Sequence, residues 1–230
     1  MRHAAAAIAL ALLLAAPAEA AKSGRVLATG DSMIQIVDSF LAKEVQSEHF
    51  RVRSDAHVGT GISKPFLLDW PSHAAHLART YRPSASVVFL GANDGFPLRW
   101  DGKRRPCCGR AWRKAYAARA RRMMQGLERG GAARVYWLTL PAARPRMWNH
   151  VYGAVNLALR QAAEREDPEH VRLIDMGRVF TPSGHFQQTI VRGGHRVSVR
   201  QADGIHLNVA GARIAARVVV RRMRADKLFR

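Results

Sequence analysis

The chain has 230 residues, 48% of them apolar, with 37 lysines and arginines against 17 acidic residues and a formal net charge of +20 at pH 7. That length supports one well-buried core and argues against two full domains, and no segment beyond the first twenty residues is apolar enough to span a bilayer. A surface this basic attracts polyanions, although arginine usage in a GC-rich genome accounts for the same excess.

Residues 1–20 read as a cleaved signal peptide. Arg2 and His3 form the basic start, residues 4–16 are uninterruptedly apolar, and Ala18-Glu19-Ala20 offers small residues at both specificity positions of a signal peptidase. Residues 21–230 are then the single mature domain. The segment removed contains Arg2 and Glu19, so the charge excess survives processing. In an exported protein, the matching polyanions are acidic polysaccharide and the cell-envelope surface before nucleic acid.

Strand-like and helix-like segments then alternate to the end, the pattern of a parallel sheet covered by helices on both faces. The first strand, 25–29, runs into Gly30-Asp31-Ser32 and a helix whose apolar positions Met33, Ile36, Val37, Phe40, Leu41 and Val45 follow the 3.6 period. A second strand is expected at 50–54, a helix at 71–80, and a short buried strand at 86–90 that ends in Gly91-Ala92-Asn93-Asp94. A basic helix at 111–129 leads to a strand at 134–140, a helix at 147–165 to a strand at 171–175, and a final helix begins near Leu207. Residues 95–110 and 179–201 interrupt the alternation at strand ends, where α/β proteins carry functional loops. The second stretch contains Gly193-Gly194 between two strand-like runs and predicts a hairpin.

Cys107 and Cys108 are adjacent, so they close no long loop. A vicinal disulfide, two free thiols and an intermolecular bridge all satisfy the sequence. The pair lacks metal-ligand spacing, and no histidine pair lies near it to complete a zinc site.

Ser32 stands between a buried strand and a helix, where its hydroxyl reaches the carboxyl edge of the sheet; alone, it reads as a helix N-cap. Asp203 and His206 form D-x-x-H before the final helix, a spacing that lets the carboxylate hold one imidazole N–H and leave the other nitrogen for a hydroxyl. Asn93 can donate its amide to a developing oxyanion, or serve as an ordinary turn residue. With a flavodoxin-like strand order 2-1-3-4-5, strands one and three flank the switch point and deliver Ser32 and Asn93 to one place. The expected architecture is a three-layer α/β/α sandwich around a five-stranded parallel sheet.

Four segments together resemble the conserved blocks of the SGNH/GDSL hydrolases, in the order of that family: Gly30-Asp31-Ser32, the glycine loop 59–61, Gly91-Ala92-Asn93-Asp94, and Asp203-Gly204-Ile205-His206-Leu207-Asn208. The resemblance extends over nearly all of the mature chain and looks nearer to a periplasmic bacterial branch than to the secreted lipases. It implies Ser32 as nucleophile, His206 as base, Asp203 as its orienting acid, and an oxyanion hole made of the N–H groups of Ser32 and Gly61 with the amide of Asn93. Val58-Gly59-Thr60-Gly61 departs from the usual second block, so Gly59 competes with Gly61 for the donor role. Met33 replaces the usual leucine, a volume-conserving change.

The resemblance implies acyl transfer through a covalent serine ester, with no metal or organic cofactor. An exported esterase removing a short O-acyl group, above all O-acetyl, from an envelope carbohydrate is the leading expectation. An O-acyltransferase using the same site and an inactive basic polysaccharide-binding protein are the alternatives. Asp31, Asp69, Trp70, Phe96 and Trp100 are candidate substrate contacts, because aromatic and charged groups beside such a site suit sugar rings and their substituents.

Overall fold

The structure is a computed structural model and describes residues 24–229; the expected signal segment lies outside them. Five parallel strands form the central sheet: β1 (Gly24–Gly30), β2 (Phe50–Ala56), β3 (Ala85–Phe89), β6 (Arg134–Leu138) and β7 (Val171–Ile174). They lie in the order β2-β1-β3-β6-β7, which is 2-1-3-4-5 when only the strands of this sheet are counted. The intervening numbers belong to an antiparallel hairpin, β4 (Leu98–Trp100) with β5 (Lys103–Arg105). A second hairpin, β8 (Thr189–Arg192) with β9 (His195–Ser198), sits where the double glycine predicts it.

The two faces of the sheet are covered differently. Helices α1 (Val37–Gln46) and α6 (Val209–Ala225) pack together as one layer. Helices α2 (Trp70–Tyr81), α3 (Arg110–Glu128) and α4 (Arg146–Ala163) pack side by side as the other, and a short α5 (Met176–Phe180) follows β7. Strands covered on both faces need continuous apolar sequence, and every residue of Ala85-Ser86-Val87-Val88-Phe89 is buried. Trp70, Trp112 and Trp137 lie wholly inside the core with Tyr116, Tyr136 and Phe180. Large rings supply much of a core's burial, and truncating one costs about 3–5 kcal/mol. Among the described residues no helix is long and apolar enough to cross a membrane.

The structure differs from the sequence-based expectation in two places. The first helix begins at Val37 rather than near Met33, because residues 32–36 form turns that start with Ile34 N–H donating to Asp31 O at 3.2 Å. Met33 and Ile34 are buried nevertheless, so apolar periodicity reported burial there and overstated the helix. The β4–β5 hairpin falls in the basic insertion, where Lys103-Arg104-Arg105 shows none of the apolar alternation that marks a half-buried strand. Within that insertion Cys107 and Cys108 form a vicinal disulfide, which selects one of the three states the sequence permits.

Candidate active site

β1 and β3 are neighbours, with Gly30 opposite Phe89, so the segments that follow them emerge together at the carboxyl edge of the sheet. Gly30 permits this approach: a Cβ there would strike the Phe89 carbonyl oxygen. Ser32 follows in the turn after β1. Its Oγ lies 2.8 Å from Nε2 of His206, and His206 Nδ1 lies 2.6 Å from Oδ2 of Asp203.

The Asp203–His206 segment is shaped by its own backbone. Asp203 Oδ1 accepts the N–H groups of Ile205 at 2.8 Å and His206 at 3.1 Å, while Gln201 N–H donates to His206 O at 2.9 Å. Asn208 then caps α6 by accepting Gly211 N–H at 3.0 Å. Burial pushes the Asp203 carboxyl up, but hydrogen bonds from the His206 ring and from the Ile205 and His206 N–H groups outweigh it and hold the carboxyl below its ordinary range. An ionised Asp203 favours the proton on Nδ1, which leaves Nε2 free to accept from the Ser32 hydroxyl.

Beneath this row lie two fully buried carboxylates. Asp31 Oδ1 accepts Met33 N–H at 2.9 Å; its Oδ2 accepts Gly91 N–H at 3.0 Å, Ala92 N–H at 2.9 Å and, at 3.4 Å, the side-chain amide of Asn93. One side chain thus ties the loop after β1 to the loop after β3. Burial pushes its carboxyl up to about 6, with repulsion from Asp94 adding to the rise and the N–H donors opposing it.

Asp94 fastens the glycine loop in the same way. Its Oδ1 accepts Ser63 N–H at 2.6 Å, and its Oδ2 accepts the Tyr116 hydroxyl at 2.7 Å from α3. Gly61 sits so close that a Cβ would lie 2.7 Å from Asp94 Oδ1. Burial and the Asp94 charge push the Tyr116 hydroxyl well above its ordinary range, so it stays a donor. Among the described residues neither Ser32 N–H nor Gly61 N–H donates to a protein acceptor. The three loops carrying Ser32, Gly61 and Asn93 are therefore braced to one another through Asp31 and Asp94.

The predicted substrate contacts fare unevenly. Asp31 is wholly buried and braces the loops, so it is no substrate contact. Trp70 is also wholly buried, with Nε1 donating to Thr60 Oγ1 at 3.2 Å, and belongs to the core. Asp69 is exposed at the start of α2, where its Oδ2 accepts the Ser72 hydroxyl at 2.7 Å. Trp100 turns away: it lines a cleft with Arg110, Lys114 and Arg121 of α3, with Gln161 of α4 and with Arg165 just past the end of that helix. Gln161 lies nine positions past Tyr152, whose hydroxyl donates to Ala92 O, or about 14 Å along the helix. Of the aromatic candidates only Phe96 is exposed, packed edge to face against Phe66 at 6.1 Å with the Lys64 ammonium 4.7 Å from its ring centre.

Two arginines near the Asp203 loop escaped the sequence reading. Arg144 donates to Ala202 O at 2.9 Å, and buried Arg200 donates to Ala142 O at 2.6 Å and to Gly204 O at 3.4 Å. An arginine within a few residues of D-x-x-H was the available signal, hidden among 37 basic residues.

Solved structures share this architecture. A carbohydrate esterase family 3 protein from Talaromyces cellulolyticus superposes with a TM-score of 0.58 at 13% identity, over 89% of this chain and 98% of that one. A family two carbohydrate esterase from Clostridium thermocellum, solved in complex with cellohexaose, gives 0.56 at 13% identity over 90% of this chain and 66% of that one. A member of the lipolytic protein G-D-S-L family from Veillonella parvula gives 0.50 at 15% identity, over 86% and 96%. The shared fold is that of the SGNH/GDSL hydrolases, as the four sequence blocks imply. No curated protein matches the chain significantly in sequence. A family model described as "Protein of unknown function (DUF459)" matches residues 25–222, and the chain belongs to that family.

Proposed function

We propose that the protein is an exported serine esterase that removes a short O-acyl group, above all O-acetyl, from an envelope carbohydrate. One observation carries the reading: the continuous row from the Asp203 carboxylate through both nitrogens of His206 to the Ser32 hydroxyl, with contacts of 2.6 and 2.8 Å. A serine is a weak nucleophile until a base in hydrogen-bond reach takes its proton, and the base needs a partner that fixes its tautomer.

In the proposed reaction Ser32 Oγ attacks the ester carbonyl as His206 Nε2 takes the hydroxyl proton. The charge that develops on the carbonyl oxygen is met by Ser32 N–H, Gly61 N–H and the Asn93 amide, held in place before the substrate arrives. His206 then gives its proton to the departing sugar oxygen, leaving an acyl-serine. Water attacks that ester with His206 again acting as base, and release of the carboxylic acid restores Ser32.

The surroundings favour a carbohydrate ester. Phe66 and Phe96 present exposed rings beside Lys64, a surface suited to stacking on a sugar, and Arg144 adds a cation on the side of Asp203. The +20 charge would hold such an enzyme on acidic polysaccharide or an anionic envelope surface. Two of the proteins of like fold are described as carbohydrate esterases, which supports the same choice.

A fluorophosphonate probe tests the reading. Wild-type protein is expected to label at Ser32 and to release acetate from acetylated glycans. Ser32→Ala is expected to lose labelling and at least about 10⁴-fold in turnover. Wild-type protein that neither labels nor hydrolyses would sink the enzyme reading, and acetyl transfer to a glycan acceptor in preference to water would replace esterase by acyltransferase.

A further inference from the structure

A second group of histidine and carboxylate side chains lies at the neighbouring strand end. Asp55 is the next-to-last residue of β2, and His57 follows two positions later, so in extended chain both point to the same side. His73 lies in the first turn of α2 and shares a face with Trp70, three residues earlier. Nε2 of His57 is 3.1 Å from Asp55 Oδ1, and Nε2 of His73 is 3.0 Å from Asp55 Oδ2. One ligand-type atom from each of the three residues falls within 4.8 Å of the others.

Both imidazoles aim the same nitrogen at one carboxylate. The two rings meet edge to face at 4.9 Å, and each packs edge-on against the buried Trp70 at 5.7 Å, which fixes their orientation. The Thr29 hydroxyl donates to Asp55 Oδ2 at 2.7 Å and fixes the carboxylate from β1.

We propose that Asp55, His57 and His73 bind one divalent transition-metal ion of the zinc type. Two imidazoles and one carboxylate form a recognised donor set for such ions, with the fourth position left to water. Zn–N and Zn–O bonds of about 2.0–2.2 Å put adjacent donors of a tetrahedral site about 3.4 Å apart. The 3.0–3.1 Å His–Asp separations therefore need to widen by only a few tenths of an ångström.

The site would also lock the glycine loop. His57 N–H donates to Gly30 O at 2.8 Å, and His57 O accepts the Thr60 hydroxyl at 2.6 Å, so the residue that would hold the ion also anchors the stretch leading to Gly61. A bound ion would join β1, β2, α2 and that loop at one point.

Zinc chloride titration of chelator-stripped full-length protein, with a chromophoric chelator as competitor, tests the site. One zinc per chain is expected, with His57→Gln and His73→Gln each weakening binding at least about tenfold. Ser32→Ala and His170→Gln, which removes an exposed histidine–aspartate pair elsewhere, are expected to bind as wild type does. Circular dichroism of the zinc-free variants establishes their fold, and Asp55→Asn is read in place of either histidine variant that fails to fold. Wild-type protein that takes up no stoichiometric zinc overturns the proposal, as does a folded histidine variant that binds within tenfold of wild type. Because Ser32 is left intact in the histidine variants, failure here and failure of the esterase reading are read on different measurements.

Discussion

Two constellations of histidine and aspartate stand at adjacent strand ends, and they differ in how the imidazoles are used. In the row Asp203–His206–Ser32 one ring spends both nitrogens, Nδ1 on a carboxylate that holds its orientation and Nε2 on a hydroxyl whose proton it can take. In the cluster Asp55–His57–His73 two rings bring the same nitrogen to a single carboxylate, which concentrates electron pairs around one point. Residue types are the same and the geometry separates the chemistries: a line suits proton transfer, and a convergence suits holding a cation.

The largest test breaks the line. Asp203→Asn keeps the shape but removes the charge that fixes the Nδ1–H tautomer, and kcat/KM for an acetylated substrate is expected to fall about 10⁴-fold with zinc affinity unmoved. Asn93→Ala removes one of the three proposed oxyanion donors and leaves the line intact; a fall in kcat on the order of 10²–10³ is expected, with KM little changed. Reversing the comparison, His73→Gln should abolish the rise in thermal midpoint that zinc gives the wild type.

The smallest effect concerns the brace beneath the line. Asp31→Asn must turn an NH₂ toward N–H groups that the carboxylate accepts, and each buried donor left unpaired costs about 1–3 kcal/mol in denaturant unfolding. The difference should depend on pH. Asp31 rises from 3.8 to about 6 in the fold, so the native state binds its proton first. Its contribution to stability is then full below pH 3.8 and is lost as pH rises through 6, a change of about 3 kcal/mol. A stability gap between wild type and Asp31→Asn that stays flat from pH 4 to 7 would contradict this.

Much of the architecture was legible because parallel strands buried on both faces write themselves as short apolar runs. Ser86-Val87-Val88-Phe89 and Val135-Tyr136-Trp137-Leu138 are examples, and the flavodoxin-like order 2-1-3-4-5 taken for such a sheet is the order observed. The contacts among Ser32, His206 and Asp203 were legible because the three residues stand in two short motifs, G-D-S and D-x-x-H. The roles of Asp31 and Trp70 were not: a carboxylate or an indole beside a reactive serine reads as a contact, and only packing reveals that both point inward. The second constellation was hidden by distance, since His73 lies 18 residues from Asp55 with a loop between them. Asp55-Ala56-His57 at a strand end was the available clue, and a strand predicted to end at Ser54 stopped short of it.

Asp94 closes the third block with a buried carboxylate bound to Ser63 and Tyr116, and the basic hairpin segment begins at the next residue. A fixed post at that position isolates Asn93 from whatever follows. A change confined to the exposed hairpin tip, residues 101–104, is therefore expected to leave the loop that carries Asn93 where it stands.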